Sequence, residues 1–253
     1  MSAARHRPRA TTGSRPLRSG SSIEPHRHDD HQIVYASRGV LAVTTDGGSW
    51  IAPATRAIWV PAGTVHQHLA HGPTTLHTLG LPVSDNPLSL DEPAVLAVSP
   101  LLRELILAYC GTGEPAEEVT GTAERHRLRA VLLDQLRRSP QQPVRLPSPR
   151  DPRLVAVCEI LHADPAEPGT LAELGARVGA SDRTLTRLCR AELGMTFPQW
   201  RTQLRLHRAL RLLAEELPVT RVAHECGWAS TSAFIATFRR AFGRTPGERA
   251  RPR

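Results

Sequence analysis

A piece of helical grammar, written twice in the C-terminal third, constrains this chain more than any other feature. In the run from Leu171 to Ser181, apolar residues at helical spacing lead to Gly179, which can take the left-handed conformation a tight turn needs. Ser181 then offers an N-cap to a helix predicted over Asp182 to about Leu193. That helix buries Leu185 and Leu188 and exposes Arg183, Thr186, Arg187 and Arg190. Gly175 is small where two crossing helices must come close. The order then returns. Val222 to Gly227 ends a helix, Trp228-Ala229-Ser230 makes the turn, and Thr231–Phe242 follows with Phe234 and Phe238 inward and Arg239 and Arg240 outward. The two turn glycines are 48 residues apart. Between the copies, Thr196 caps a long helix with Pro198 in its first turn, predicted to run to about Leu217.

Two helix-turn-helix units on one connector suit DNA, whose successive major grooves lie about 34 Å apart on one face of the duplex. The competing reading is a packing bundle whose arginines form a solvated face. Charge separates the regions. All 32 basic residues are arginine, and the net charge is +8. Residues 1–22 carry +5, residues 23–149 carry −3 and residues 150–253 carry +6. A mildly acidic middle between two basic ends indicates domains with different partners.

The first stretch, residues 1–20, is rich in Arg, Ser, Pro and Gly without apolar periodicity, and is expected to be a disordered basic tail. From Ile23 to about Pro82, short β-branched or alternating runs are punctuated by Gly39, Gly47-Gly48, Pro61-Ala62-Gly63 and Gly72-Pro73, which argues for a small barrel or sandwich over residues 21–85. Asp46-Gly47-Gly48 is a hairpin signal. Helical spacing follows over Ala94–Tyr109 (Leu101, Leu102, Leu105) and Gly121–Arg138 (Leu128, Leu132, Leu136), giving a helical linker or dimerisation region over 86–149 whose leucine stripes either form a dimer interface or pack on the barrel. The proline-rich Ser139–Pro152 reads as the interdomain linker before a DNA-binding domain at 150–253. The expected class is α+β multidomain.

Apolar runs are too short to span a bilayer, and no h-region follows the first arginines, so neither a membrane protein nor a secreted precursor is expected. Four scattered cysteines without a C-x-x-C pair fit a reducing cytoplasm.

Seven of twelve histidines lie between His26 and His77. Residues i and i+2 share a face of a strand, so His26 and His28 can point into one barrel together, and His66 from a neighbouring strand completes a three-imidazole set suited to a divalent transition metal. Gln32, His31 and His68 are possible additional ligands. Three readings stay open: a metal, a metal-free polar ligand pocket, or barrel histidines satisfied internally.

Residues Gly20-x5-His26-x-His28-x3-Gln32-x6-Gly39 and Pro61-x-Gly63-x-x-His66 resemble the two cupin motifs, with Gln32 where glutamate is usual. A neutral amide is a poorer cation ligand, which turns the expectation from catalysis toward binding. Leu204-Arg205-Leu206, Gly227-Trp228, Phe238-Arg239 and Gly243-x-Thr245-Pro246 resemble the DNA-binding domain of AraC/XylS-family transcriptional regulators, over about residues 153–250. Departures from that pattern are Gly175, Cys189 and Arg249-Ala250. The resemblance implies base-reading positions at Arg183, Thr186 and Arg187, and at Thr231, Ser232 and Ala236, with Arg239 on phosphate. It implies a homodimeric regulator of double-stranded DNA, contact with RNA polymerase, control of an adjacent transporter or enzyme gene as activator or repressor, and a small-molecule or metal effector in the barrel. No enzymatic activity is expected. The alternative is a metal-dependent cupin enzyme tethered to a DNA-binding domain, and a third reading is a constitutive binder acting through charge alone.

Overall fold

In a computed structural model of the chain, residues 4–111, 122–142 and 145–248 are described. Gly121 and the Arg249-Ala250 departure lie outside them. The chain divides into two units, one built from residues up to 143 apart from Gly47–Ser49, the other from residue 144 onward with Gly47–Ser49.

The first unit is a curled sheet. Its strands are β1 (Arg5–Arg7), β2 (Gly13–Leu17), β3 (Ser22–His28), β4 (His31–Thr45), β5 (Gly48–Pro53), β6 (Arg56–Val60), β7 (His66–Leu81), β8 (Ala94–Ala97) and β9 (Gln141–Gln142). The main path runs β1-β3-β7-β4-β6-β8-β9, with β2 on β7 and β5 on β4. The long strands β4 and β7 pair antiparallel from His31↔Leu81 to Thr44↔Gln67, and two register shifts around Arg38 bend them. Period-two alternation sorts the faces. Ile33, Tyr35, Trp59, Leu79 and Leu81 face one core, which two helices cover: α1 (Pro100–Cys110) and α2 (Thr122–Arg137). Gln32, His26, His28 and His68 line the opposite, concave face.

Two expectations are corrected here. The described part of the expected disordered tail, residues 4–20, is held in the sheet: β1 pairs parallel with β3 and β2 pairs antiparallel with β7. Backbone pairing to strands already held supplies what the Arg- and Ser-rich composition lacks. Ala94 does not begin a helix. Ala94–Ala97 pairs with β6, and the helix starts only where Ser99 caps it and Pro100 occupies its first turn. Of the two readings of the leucine stripes, packing on the barrel accounts for four of their leucines. Leu102, Leu105, Leu132 and Leu136 are buried against the sheet, worth roughly 1.5–3 kcal/mol for each fully buried leucine. Only Leu101 and Val131 of these helices are large exposed apolar residues.

The expected linker is not all linker either. It holds β9 and β10 (Arg145–Pro147), and Leu146 is buried in the second unit's core while the Pro147 carbonyl accepts the Trp200 Nε1–H at 3.3 Å.

The second unit is helical: α3 (Pro152–Ala163), α4 (Leu171–Arg177), α5 (Asp182–Leu188), α6 (Phe197–Ala214), α7 (Val219–Glu225) and α8 (Thr231–Phe242). Local chemistry explains the boundaries. Thr170 with Glu173, and Thr196 with Gln199, form capping boxes. Ser181 and Ser230 accept the backbone N–H of Thr184 and Ala233. The helix after Ser181 is shorter than expected, because Cys189–Leu193 is wound as a π-helical turn ending at Gly194.

Close backbone approaches lock the unit. A Cβ on Gly175 would lie 2.4 Å from the Ala180 carbonyl oxygen. At Gly227, with φ +71°, it would lie 2.6 Å from the Ala166 Cα. The connector α6 is tied to the same loop, since Arg205 donates to the Pro165 carbonyl at 3.0 Å and Arg201 to the Gly169 carbonyl at 3.0 Å.

Candidate functional site

Two adjacent antiparallel strands each carry a His-x-His pair. His26 stands opposite His66 in the β3–β7 register. Because residues two apart share a face, His26, His28, His66 and His68 form one cluster, with ring centroids 4.4 Å apart for His26–His66, 4.9 Å for His28–His66 and 5.1 Å for His66–His68. All four are buried. Ligand atoms of His26, His28 and His66 lie within 4.8 Å of one another.

The tautomers are organised from below. The Nδ1 of His26 bonds the Glu24 carbonyl at 2.8 Å, that of His28 the Asp30 carbonyl at 2.7 Å and that of His66 the Thr64 carbonyl at 2.9 Å. A carbonyl can only accept, so each Nδ1 carries the proton and each Nε2 keeps its lone pair. Among the described residues, the Nε2 atoms of His28 and His66 and both nitrogens of His68 have no hydrogen-bond partner, and neither does Gln32 Oε1. Burial lowers the pKa of His26, and lowers that of His66 to about 3; nearby Arg7 pushes both the same way. Burial takes His68 well below its ordinary value. Burial thus holds His26, His66 and His68 toward the neutral form, and His26, His28, His68 and Gln32 line a cavity of about 20 Å³, room for one water or ion.

The residues named from sequence separate cleanly. Gln32 and His68 join His26, His28 and His66. His31 does not: its Nδ1 accepts the Ala62 N–H at 3.0 Å and its ring stacks on Trp59, a structural assignment that β4 dictates by turning residue 31 away from Gln32. Sequence reasoning missed Arg7, Arg9, Arg15, Thr11 and Thr78, which line the same cavity. The alternation Arg5-His6-Arg7 was the available signal, masked by the basic composition around it.

On the second unit, Arg183, Arg187 and Arg190 are exposed and Thr186 is half-buried, while Leu185 and Leu188 hold α5 to the core. On α8, Ser232, Ala236 and Arg239 are exposed and Thr231 is half-buried, over a buried Phe234–Phe238–Phe242 ladder. Other arginines of this unit are spent internally: Arg153 on Asp151, Arg177 on Glu167 and Arg221 on Glu225. Among the described residues, no carboxylate pairs with Arg183, Arg187, Arg190 or Arg239. All four cysteines are buried and unpaired, and burial raises their thiols, Cys189 to about 11 and Cys110 and Cys226 to about 12.

This pairing of a curled histidine-lined sheet with a double helix-turn-helix defines a class, and comparison with known proteins agrees. Residues 4–81 match the cupin domain family and residues 174–251 a helix-turn-helix domain family. The chain is 35% identical over 227 residues to the HTH-type transcriptional regulator NimR of Escherichia coli K12, covering 88% of this chain and 80% of that one. It is 39% identical over 101 residues to the HTH-type transcriptional regulator RipA of Corynebacterium glutamicum, covering 40% of this chain and 30% of that protein. The DNA-binding domain of AdpA, solved with a target DNA, shares 33% identity with a TM-score of 0.35, covering 37% of this chain and 86% of that one. The chain belongs to the AraC-type family of helix-turn-helix transcriptional regulators and carries an N-terminal cupin domain. It is a DNA-binding protein, and its relatives bear the names of regulators rather than enzymes. No helix of the described residues is long and apolar enough to cross a membrane.

Proposed function

We propose that the cupin unit is an effector sensor whose site is His26, His28 and His66, with Gln32 and His68 beside them, and that its occupancy sets how the helix-turn-helix unit engages DNA. The observation that carries this reading is a set of three buried imidazoles whose Nδ1 atoms bond backbone carbonyls and whose ligand atoms lie within 4.8 Å of one another, the Nε2 atoms of His28 and His66 having no partner among the described residues. Leaving such atoms buried and unpaired costs about 1–3 kcal/mol each, a cost that a ligand removes. The donor set fits a divalent transition metal: three imidazoles, each oriented by a backbone carbonyl, are the ligand and supporting shell such ions take. When bound, the ion supplies positive charge and an open coordination position. His26, His28 and His66 hold it, and Gln32, an amide rather than a carboxylate, leaves its charge uncompensated. That favours ligand capture over catalysis.

On DNA, Arg183 and Arg187 lie one helical turn apart and can reach guanine edges, whereas Thr231, Ser232 and Ala236 offer hydroxyl and methyl contacts. Arg190 and Arg239 are assigned to phosphate. A homodimer on repeated sites, contact with RNA polymerase and control of a neighbouring transporter or enzyme gene remain parts of this proposal.

The test is a Co²⁺ titration of the full chain, read by visible absorption and by affinity for a DNA fragment selected from a random pool. The wild type should show a ligand-field spectrum and a changed DNA affinity. The double variant His26→Ala/His28→Ala should lose both while keeping its metal-free DNA affinity. A spectrum unchanged in the double variant would refute the metal assignment.

A further inference from the structure

The cavity has room for one ion, but it opens beside a larger cleft, and the charges around that cleft are one-sided. In the parallel β1–β3 register, Arg5 stands beside His26 and Arg7 beside His28, on the strand face that carries the histidines. Arg7, Arg9 and Arg15 line the cavity itself. Arg5, Arg7 and Arg15 also line an adjoining cleft of about 230 Å³, where Glu24 is the one carboxylate. Among the described residues, no carboxylate forms an ion pair with Arg7, Arg9 or Arg15, although His6, the residue before Arg7, is bound by Asp29 at 3.0 Å. The histidines contribute no negative charge, and position 32 holds an amide.

From this charge balance we propose that the pocket takes a small carboxylate: its oxygens are bound by the guanidinium groups of Arg7, Arg9 and Arg15, and its other end reaches toward the histidine cluster. This rests on the effector reading above and specifies the chemistry of the ligand. Guanidinium forks match carboxylate geometry and form charge-assisted hydrogen bonds. The cleft is smaller than the roughly 300 Å³ at which drug-sized pockets begin, which selects a small organic acid. In the smaller cavity beside it, Thr11 and Thr78, whose hydroxyls lie 3.4 Å apart, add neutral donors. A cation held by the histidines would increase the demand for an anion.

The experiment uses the full chain, metal-free and Co²⁺-loaded, with succinate as the probe and succinamide as its neutral counterpart, read by calorimetry and thermal shift. The expected result is saturable succinate binding, no succinamide binding, and at least about a tenfold loss of succinate affinity in Arg7→Gln/Arg9→Gln/Arg15→Gln, the equivalent of one charge-assisted contact. The triple lysine variant, which keeps the charge without the fork, should recover part of it. An unchanged circular dichroism spectrum and melting midpoint of the metal-free variants without succinate report that the cupin unit is folded. Equal binding of succinate and succinamide, full succinate binding by the glutamine variant, or no succinate binding by the wild type overturns the proposal. The arms separate the two readings. Succinate binding with no Co²⁺ spectrum removes the metal and keeps the anion; a Co²⁺ spectrum with no succinate binding removes the anion and keeps the metal.

Discussion

The two units use the same side chain for opposite shapes. In the cupin unit, Arg7, Arg9 and Arg15 converge on a concave pocket lined by imidazoles. In the helix-turn-helix unit, Arg183, Arg187 and Arg239 stand on convex helix faces whose inner sides are leucine or phenylalanine. Neither set is paired with carboxylates among the described residues. Uncompensated charge inside a concavity is a site for a small anion, while the same charge along a capped helix is a site for a polyanion. Net charge alone makes no such distinction; curvature does.

The largest expected effect breaks the second unit without touching the first. Gly227→Ala would place a Cβ 2.6 Å from the Ala166 backbone at a positive φ, which should cost at least about 2 kcal/mol. DNA affinity should collapse while Co²⁺ binding persists. Loss of both would mean that the units do not behave separately. Next, Arg187→Ala should cost roughly 1–3 kcal/mol for the selected DNA site and little for random DNA. Competition titrations would expose the opposite pattern, a uniform loss.

A third prediction concerns the cupin unit and acid. Burial lowers His77 to about 4, with Arg103 nearby, and its ring bonds Ser37 at 2.8 Å. The unfolded chain binds a proton near pH 6.5 that the native state refuses until about pH 4, so stability falls as pH falls through that window. The slope is at most about 1.4 kcal/mol per pH unit for this group. His77→Gln should flatten that acid limb in denaturant melts at stepped pH; an equally steep limb would place the linkage elsewhere. The smallest effect is that of Arg239→Ala. It should weaken all DNA about equally and lower the salt slope by about one. A changed sequence preference would move Arg239 from phosphate to base reading.

The two units were also unequally legible. Gly179, Ser181, Gly227 and Ser230 act through their own turn and cap, so the helices they bound could be read from adjacent residues. The His26/His28/His66 convergence was legible because strand period and motif spacing place those side chains on one face. What stayed hidden depends on distant pairing. Arg5–Arg7 is a strand only because β3 lies beside it, Ala94–Ala97 only because β6 does. The leucines of α1 and α2 have a helical stripe whichever surface they meet, and the spacing could not say that the surface was the sheet. The π-helical turn at Cys189–Leu193 carries no local signal that we can identify.

The central claim is that sequence reading by this regulator is concentrated on α5, with α8 as the weaker reader and an anchor. Selection of DNA from a random pool, run in parallel with wild type, Arg187→Ala and Arg239→Ala, tests it most directly. The account predicts a wild-type motif that loses a guanine preference in the Arg187→Ala pool and persists at lower affinity in the Arg239→Ala pool. The same motif in all three pools, or its loss only with Arg239→Ala, would contradict it.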